Sequence, residues 1–262
     1  MSNTSMDKPK LAVFKFASCD GCQLSLLDCE DELLSLSDKI EIAFFIEATK
    51  TQLLGPYDLT LVEGSVTTPQ DQQRIISIRE QSRYLVTIGA CATSGGIQAL
   101  RNFQNIENYK KIVYAKPEYI STLSTSTAIA ENLPVDFELQ GCPINKYQLL
   151  EVCKSFLIHK KPNIPAVSVC TECKIKGNPC IMVTQGVLCM GPVTHAGCDA
   201  LCPTYQRGCY GCYGPKESPN PQALAQYFDK SLKTPHTQIL QILRNFNANH
   251  PALKKASQDY ES

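Results

Sequence analysis

The run KLAVFKFASCDGC, residues 10–22, carries the plan of the whole chain. Residues 10–17 are apolar with basic interruptions and read as a short buried strand. Ser18, Cys19, Asp20, Gly21 and Cys22 follow directly, and then a helical pattern through Leu24, Leu27, Leu33 and Leu34. Two thiols therefore fall in the turn between a strand and a helix. The same grammar recurs downstream. Residues 40–46 read as a strand, and so do residues 57–62, which end at Glu63-Gly64-Ser65. A helix is predicted over residues 69–81, with Pro69 in its first turn beside Gln70 and Asp71. Residues 83–88 form a strand that ends at Gly89-Ala90-Cys91. Residues 135–139 form another that ends at Gln140-Gly141-Cys142-Pro143, with a helix over residues 145–159. Strands alternating with helices, each strand a short apolar run, predict an α/β fold on a doubly wound parallel sheet. Ligands of such sheets sit beyond the carboxyl ends of the strands. Cys19, Cys22, Cys91 and Cys142 all occupy that place, so four thiols from three loops meet at one edge of the sheet as a metal site.

Beyond a proline-containing linker at residues 160–165, the chain changes character. Cys170, Cys173, Cys180, Cys189, Cys198, Cys202, Cys209 and Cys212 fall in one segment, punctuated by Gly and Pro and almost without helix or strand patterns. Such a segment cannot build an apolar core of its own, so disulfides, zinc or iron–sulfur clusters must fold it. No export signal is visible in the short polar stretch of residues 1–10, so a cytoplasmic location is expected, which argues for metal over disulfides. Cysteine pairs two residues apart also suit zinc ribbons, and that reading stays open. Iron–sulfur is favoured by Cys202-Pro203, which resembles the end of bacterial ferredoxin runs, and by the thiolate site on the sheet edge. Twelve cysteines make three groups of four, and three clusters in line would conduct electrons, whereas three zinc ions would only stiffen the chain. Cys29 and Cys153, both in predicted helices, are left over as buried free thiols. His195 lies near Cys189 and Cys198 but is expected to stand outside the ligand sets, which the cysteines already close.

The 262 residues carry 25 basic and 25 acidic side chains and no block of like charge. That argues against nucleic-acid or membrane-surface binding driven by electrostatics, and no apolar run is long enough for a membrane span. Residues 102–133 read as an irregular excursion with some helix. Past residue 215 comes a Pro/Ser/Asn loop, then helical patterns over residues 222–231 and 237–246, with the last dozen residues polar and expected to be mobile.

On these residues the chain resembles the small, electron-transferring subunit of nickel–iron hydrogenases, from about residue 10 to residue 215. That family holds its proximal 4Fe–4S cluster with Cys-x-Gly-Cys, Gly-x-Cys-Ala and Gly-Cys-Pro. These stand here as Cys19-Asp20-Gly21-Cys22, Gly89-Ala90-Cys91-Ala92 and Gly141-Cys142-Pro143. The resemblance implies a flavodoxin-like domain over residues 1–162, with the proximal cluster on Cys19, Cys22, Cys91 and Cys142. A small irregular iron–sulfur domain over 163–215 and a helical tail over 216–262 complete the expected organisation. Membrane-bound members bind the distal cluster through His-x-x-Cys and carry a 3Fe–4S medial cluster. Here Cys170 stands at the histidine position and Cys202 supplies a fourth thiolate. Aligned on Cys189-Met190-Gly191-Pro192-Val193-Thr194, the family pattern implies a distal 4Fe–4S cluster on Cys170, Cys173, Cys180 and Cys189. It leaves a medial 4Fe–4S cluster on Cys198, Cys202, Cys209 and Cys212, with a ferredoxin-style exchange of one ligand as the alternative.

The all-cysteine pattern is similar to the delta subunit of soluble, NADP-linked sulfhydrogenases, whose runs appear here as Gly177-Asn178-Pro179-Cys180 and Gly191 to Cys198. Deazaflavin-reducing and heterodisulfide-reductase-linked hydrogenases are near relatives. The resemblance implies three 4Fe–4S clusters and no catalytic residue in this chain. The nickel–iron centre would lie in a large partner subunit, and electrons would leave to a flavin- and NAD(P)-binding, iron–sulfur acceptor subunit. Many members place a glutamate, implicated in proton transfer, before the first cluster cysteine; here it is Ser18, to which no catalytic role is assigned. Glu63 is expected to cap or to bond a loop amide. A subunit of the related quinone oxidoreductases is the competing reading, weakened by the eight-cysteine segment those relatives usually lack. A zinc-stabilised docking scaffold is the other.

Overall fold

Strand β1 (Lys10–Lys15) buries Leu11, Ala12, Val13 and Phe14 in succession, the mark of a strand covered on both faces of a parallel sheet. The computed structural model describes residues 8–261, so the reading of residues 1–7 as the start of a polar, signal-free stretch lies outside the described residues. After β1 the single helix expected from the leucine pattern is two: α1 (Gly21–Leu27) and α2 (Glu30–Ser37). The break falls at Cys29, where Glu30 takes a φ of 37°, so Cys29 sits at the joint and not inside a helix. The other sheet-building elements follow as expected, with ends shifted by one or two residues. They are β2 (Glu41–Phe45), β3 (Tyr57–Glu63), α3 (Pro69–Glu80), β4 (Ser82–Ile88), β5 (Phe137–Leu139) and α6 (Lys146–Leu157). Thr68 and Asp71 close a capping box at the start of α3, which fixes that boundary. A short α4 (Gly89–Ser94) continues straight out of β4, and the excursion after it holds α5 (Ile106–Val113) among 3-10 turns.

The strand order is β2-β1-β3-β4-β5, all parallel, the flavodoxin-like arrangement with its switch point between β1 and β3. One face packs Leu11, Val13, Leu61 and Ile88 against Leu26, Leu149 and Phe156. The other packs Ala12, Phe14, Val62 and Leu85 against Ile75 and Ile78. Each such large side chain contributes about 1.5–3 kcal/mol by leaving water, so the strand ends stand on a rigid platform.

The second half departs from expectation in two respects. Three short helices, α7 (Val169–Ile175), α8 (Ile181–Gln185) and α9 (Leu201–Thr204), run through the cysteine-rich segment. Beyond them, α10 (Pro221–Lys230) and α11 (His236–Leu243) are joined by α12 (Pro251–Gln258), in residues expected to be mobile. The polar composition there hides an apolar stripe at helical spacing: Leu253, Ala256 and Ser257 are buried, and Tyr260 just beyond the helix with them. One core takes in Val169, Met190, Val193 and Cys209 together with Leu224, Phe228, Ile239, Leu243 and Leu253. The cysteine-rich segment thus borrows its apolar backing from the helices that follow it. Among the described residues no helix is long and apolar enough to cross a membrane.

Candidate functional site

The carboxyl ends of β1, β4 and β5 deliver Cys19 and Cys22, Cys91, and Cys142 to one place. Burial pushes the Cys91 thiol up to about 11, and Cys142 and Cys19 beside it raise it further. Burial likewise lifts Cys22, with Glu63, Cys142 and Cys91 adding to it, and Cys142, with Cys19 adding. Each of the four is therefore near others of the set. Two glycines make the room. A Cβ on Gly89 (φ 85°) would collide with the Cys22 sulfur, and one on Gly96 (φ 65°) would lie 2.6 Å from the Cys91 sulfur. Glu63 is buried at the end of β3 and accepts hydrogen bonds from the Cys22 amide at 3.0 Å and Gln23 Nε2 at 2.7 Å, the loop-amide role read for it from sequence. Ser18 Oγ donates to Asp20 Oδ1. Gln98, which sequence reasoning missed, donates from Nε2 to the Ala17 carbonyl at 2.7 Å while the Cys91 thiol donates to its Oε1 at 3.5 Å. It ties the β4 loop to the β1 loop, and nothing in its spacing signals it.

In the second half the Cys170 thiol is raised to about 11 by burial, with Cys189, Cys173 and Cys180 adding to it. Cys212 is raised to about 12 by burial, then by Cys198, Cys142 and Cys202. Cys209 is raised by burial, with Cys189 and Cys212 contributing. The sets touch: the Cys209 amide donates to the Cys189 sulfur at 3.3 Å, and Cys142 at the sheet edge is near enough to Cys212 to raise it. Cys180 is exposed. Cys29 and Cys153 are fully buried free thiols, as read from sequence, with Cys29 donating to the Ser25 carbonyl. The His195 Nδ1 lies 2.6 Å from the Ala196 carbonyl oxygen, and no cysteine sulfur is bonded to it.

All fourteen cysteines are free thiols. Soft thiolate donors in such numbers select zinc or iron–sulfur clusters. Among the described residues no three His, Cys, Asp or Glu side chains converge on a single metal ion. A single zinc holds each sulfur at about 2.3 Å, drawing its thiolates closer together than a four-iron cluster does. The donor chemistry and the glycine-lined space beside the sulfurs fit the larger group.

A flavodoxin-like sheet with thiols at its strand ends defines the class, an iron–sulfur electron-transfer subunit of an oxidoreductase. Residues 19–156 match the family model described as NADH ubiquinone oxidoreductase, 20 Kd subunit. Over 237 residues the chain is 34% identical to sulfhydrogenase 2 subunit delta of Pyrococcus furiosus, covering 90% of this chain and 98% of that one. It is 30% identical over 238 residues to a subunit of the vhu hydrogenase of Methanococcus voltae, covering 79% and 83%. The structure of an NAD+-reducing nickel–iron hydrogenase in the hydrogen-reduced state superposes with a TM-score of 0.56 at 26% identity, over 60% of this chain and 96% of that chain. The chain belongs to the small-subunit family of the nickel–iron hydrogenases, with its delta-type members. The family model stops at residue 156, while the Pyrococcus match extends over nearly the whole chain. The hydrogenase reading therefore stands over that of a quinone-oxidoreductase subunit.

Proposed function

We propose that this small subunit holds three 4Fe–4S clusters and relays electrons between the nickel–iron site of a large partner subunit and a flavin- and NAD(P)-binding, iron–sulfur acceptor subunit. The observation that carries this is the succession of thiol sets. Cys19, Cys22, Cys91 and Cys142 hold the first group at the sheet edge. Cys198, Cys202, Cys209 and Cys212 hold the second, which begins where Cys142 neighbours Cys212. Cys170, Cys173, Cys180 and Cys189 hold the third, reached where the Cys209 amide meets the Cys189 sulfur, and Cys180 brings it to the surface. Bound there, the clusters supply one-electron oxidation and reduction, at the low potential that all-thiolate ligation favours.

The chain's own residues do the rest. Burial keeps water from the sulfurs, and it raises the thiols, so loading a cluster must displace their protons. Glu63 fixes the Cys22 backbone, and Gln98 fixes the loop of Cys91. Around Cys180, Ile175, Val183, Leu201 and Tyr205 are exposed apolar side chains, and Asn178 ties this loop to Thr204 at 3.0 Å. That face is the docking surface for the acceptor subunit. Free thiols throughout fit a cytoplasmic compartment. The names of relatives support hydrogenase partners, and an acceptor of the kind served by deazaflavin-reducing or heterodisulfide-reductase-linked hydrogenases is the alternative.

Anaerobic analysis of the purified complex for iron, sulfide, nickel and zinc tests the proposal. About twelve iron and twelve sulfide in this subunit, with nickel in the larger partner, is the expected result. Two or three zinc ions without sulfide would overturn it and leave a docking scaffold. Cys91→Ser should abolish hydrogen-dependent dye reduction while the other two clusters stay bound, and unchanged activity would refute the assignment at the sheet edge.

A further inference from the structure

Glu172 lies between Cys170 and Cys173 in α7, yet its side chain works elsewhere. One carboxylate oxygen accepts the Gly197 amide at 2.8 Å, and the other accepts the Ala200 amide at 3.0 Å. The second oxygen also lies 3.9 Å from the Cys198 sulfur. The loop it grips does not hold itself. Gly197 has a φ of 140°, and Asp199 and Ala200 are consecutive non-glycine residues at 57° and 47°. Left-handed backbone at such residues costs on the order of 1–3 kcal/mol each and persists only where its surroundings impose it. Amides turned inward by such a conformation form a concave site for an anion, and here the anion is a side chain of the chain itself.

We propose that Glu172 is a positioning residue that locks the loop of Cys198 onto the helix carrying Cys170 and Cys173. By its negative charge it also lowers the reduction potential of the group that Cys198 holds. The inference rests on the proposed reading of these cysteines as cluster ligands. Its logic is electrostatic. Adding an electron beside a partly buried carboxylate is opposed by a repulsion that water screens incompletely, and net charge and hydrogen bonds near the sulfurs set the potentials of such clusters. The carboxylate thus fixes the spacing of two thiol sets and biases one of them.

The test uses the intact hydrogenase complex with Glu172→Gln and Glu172→Ala, read by iron and sulfide content and by redox titration followed by electron paramagnetic resonance. Glutamine keeps the shape and one acceptor but turns an NH2 toward an amide donor and removes the charge. That variant should retain its iron and show a positive shift in the potential of the cluster on Cys198, with the sheet-edge cluster unmoved. Alanine removes both acceptors, and about a third of the iron should be lost, with the signals of the other two clusters kept. Wild-type iron content and wild-type potentials in both variants would overturn the proposal. Iron lost equally from all three sets would do the same, because the carboxylate grips one loop only. Absence of iron and sulfide from the wild-type complex would overturn the cluster reading itself, a failure seen before any variant is compared.

Discussion

Gly89 and Gly186 both have positive φ, 85° and 68°, but their surroundings differ completely. A side chain on Gly89 would strike the Cys22 sulfur, whereas one on Gly186 would meet nothing within 4 Å. Gly89→Ala should therefore cost the sheet-edge group its iron while the other sets stay loaded. Gly186→Ala should cost only the backbone term, on the order of 1 kcal/mol, with full iron content. Metal analysis beside a denaturation midpoint separates the two. At this scale the twelve candidate ligands are legible in the sequence, because thiol spacing and position after a strand are local properties. Glu172 and Gln98 are not. Their partners lie 25 and 81 residues away in the chain, and a glutamate or glutamine near a cysteine carries no mark of what it will reach. Glu63 was readable halfway: its place at a strand end points to a loop amide, but only the fold says that the amide belongs to Cys22.

Among the elements, α12 has the most to answer for. Leu253 is buried at the core shared with the cysteine-rich segment, and Leu253→Ala should cost about 2–5 kcal/mol, read as a lower denaturation midpoint and faster loss of iron from the second-half sets than from the sheet edge. The helix start is pH-sensitive. His250 caps it by accepting the Ala252 amide at Nδ1, and burial holds its pKa below the ordinary histidine value. A depressed folded value means that this stabilisation is present above the unfolded pKa and is lost as pH falls through the folded one. Hydrogen exchange of the α12 amides, corrected for the intrinsic rate, should accelerate between about pH 7.5 and about pH 5. His250→Asn keeps a cap and should flatten that dependence. The strands were legible from sequence because parallel strands are continuous apolar runs with abrupt ends. The last helix was not, since Lys254, Lys255, Gln258 and Asp259 dominate its composition and three or four buried positions at helical spacing are easily lost among them. The break between α1 and α2 escaped for a related reason: the leucine spacing continues across it, and only the backbone at Glu30 reveals the turn.

For the whole molecule, the two ends of the thiol succession face different partners, so they should fail separately. Val183 is 72% exposed beside exposed Cys180. Val183→Glu should lower hydrogen-dependent reduction of the physiological acceptor about tenfold or more, an effect of over 1.4 kcal/mol on docking, and leave small-dye reduction unchanged. Equal loss with both acceptors would remove the docking face from this surface. The division of labour between the halves also has a consequence in time. Every thiol of the sheet-edge set, and every strand of the sheet beneath it, has been synthesised by residue 142. The other eight thiols are complete at residue 212, but their apolar backing extends to Leu253 and Tyr260. A ribosome therefore delivers a finished seat for the first cluster well before the seats of the other two can close. Maturation of this subunit is ordered by the direction of translation, with the sheet edge first in line for iron.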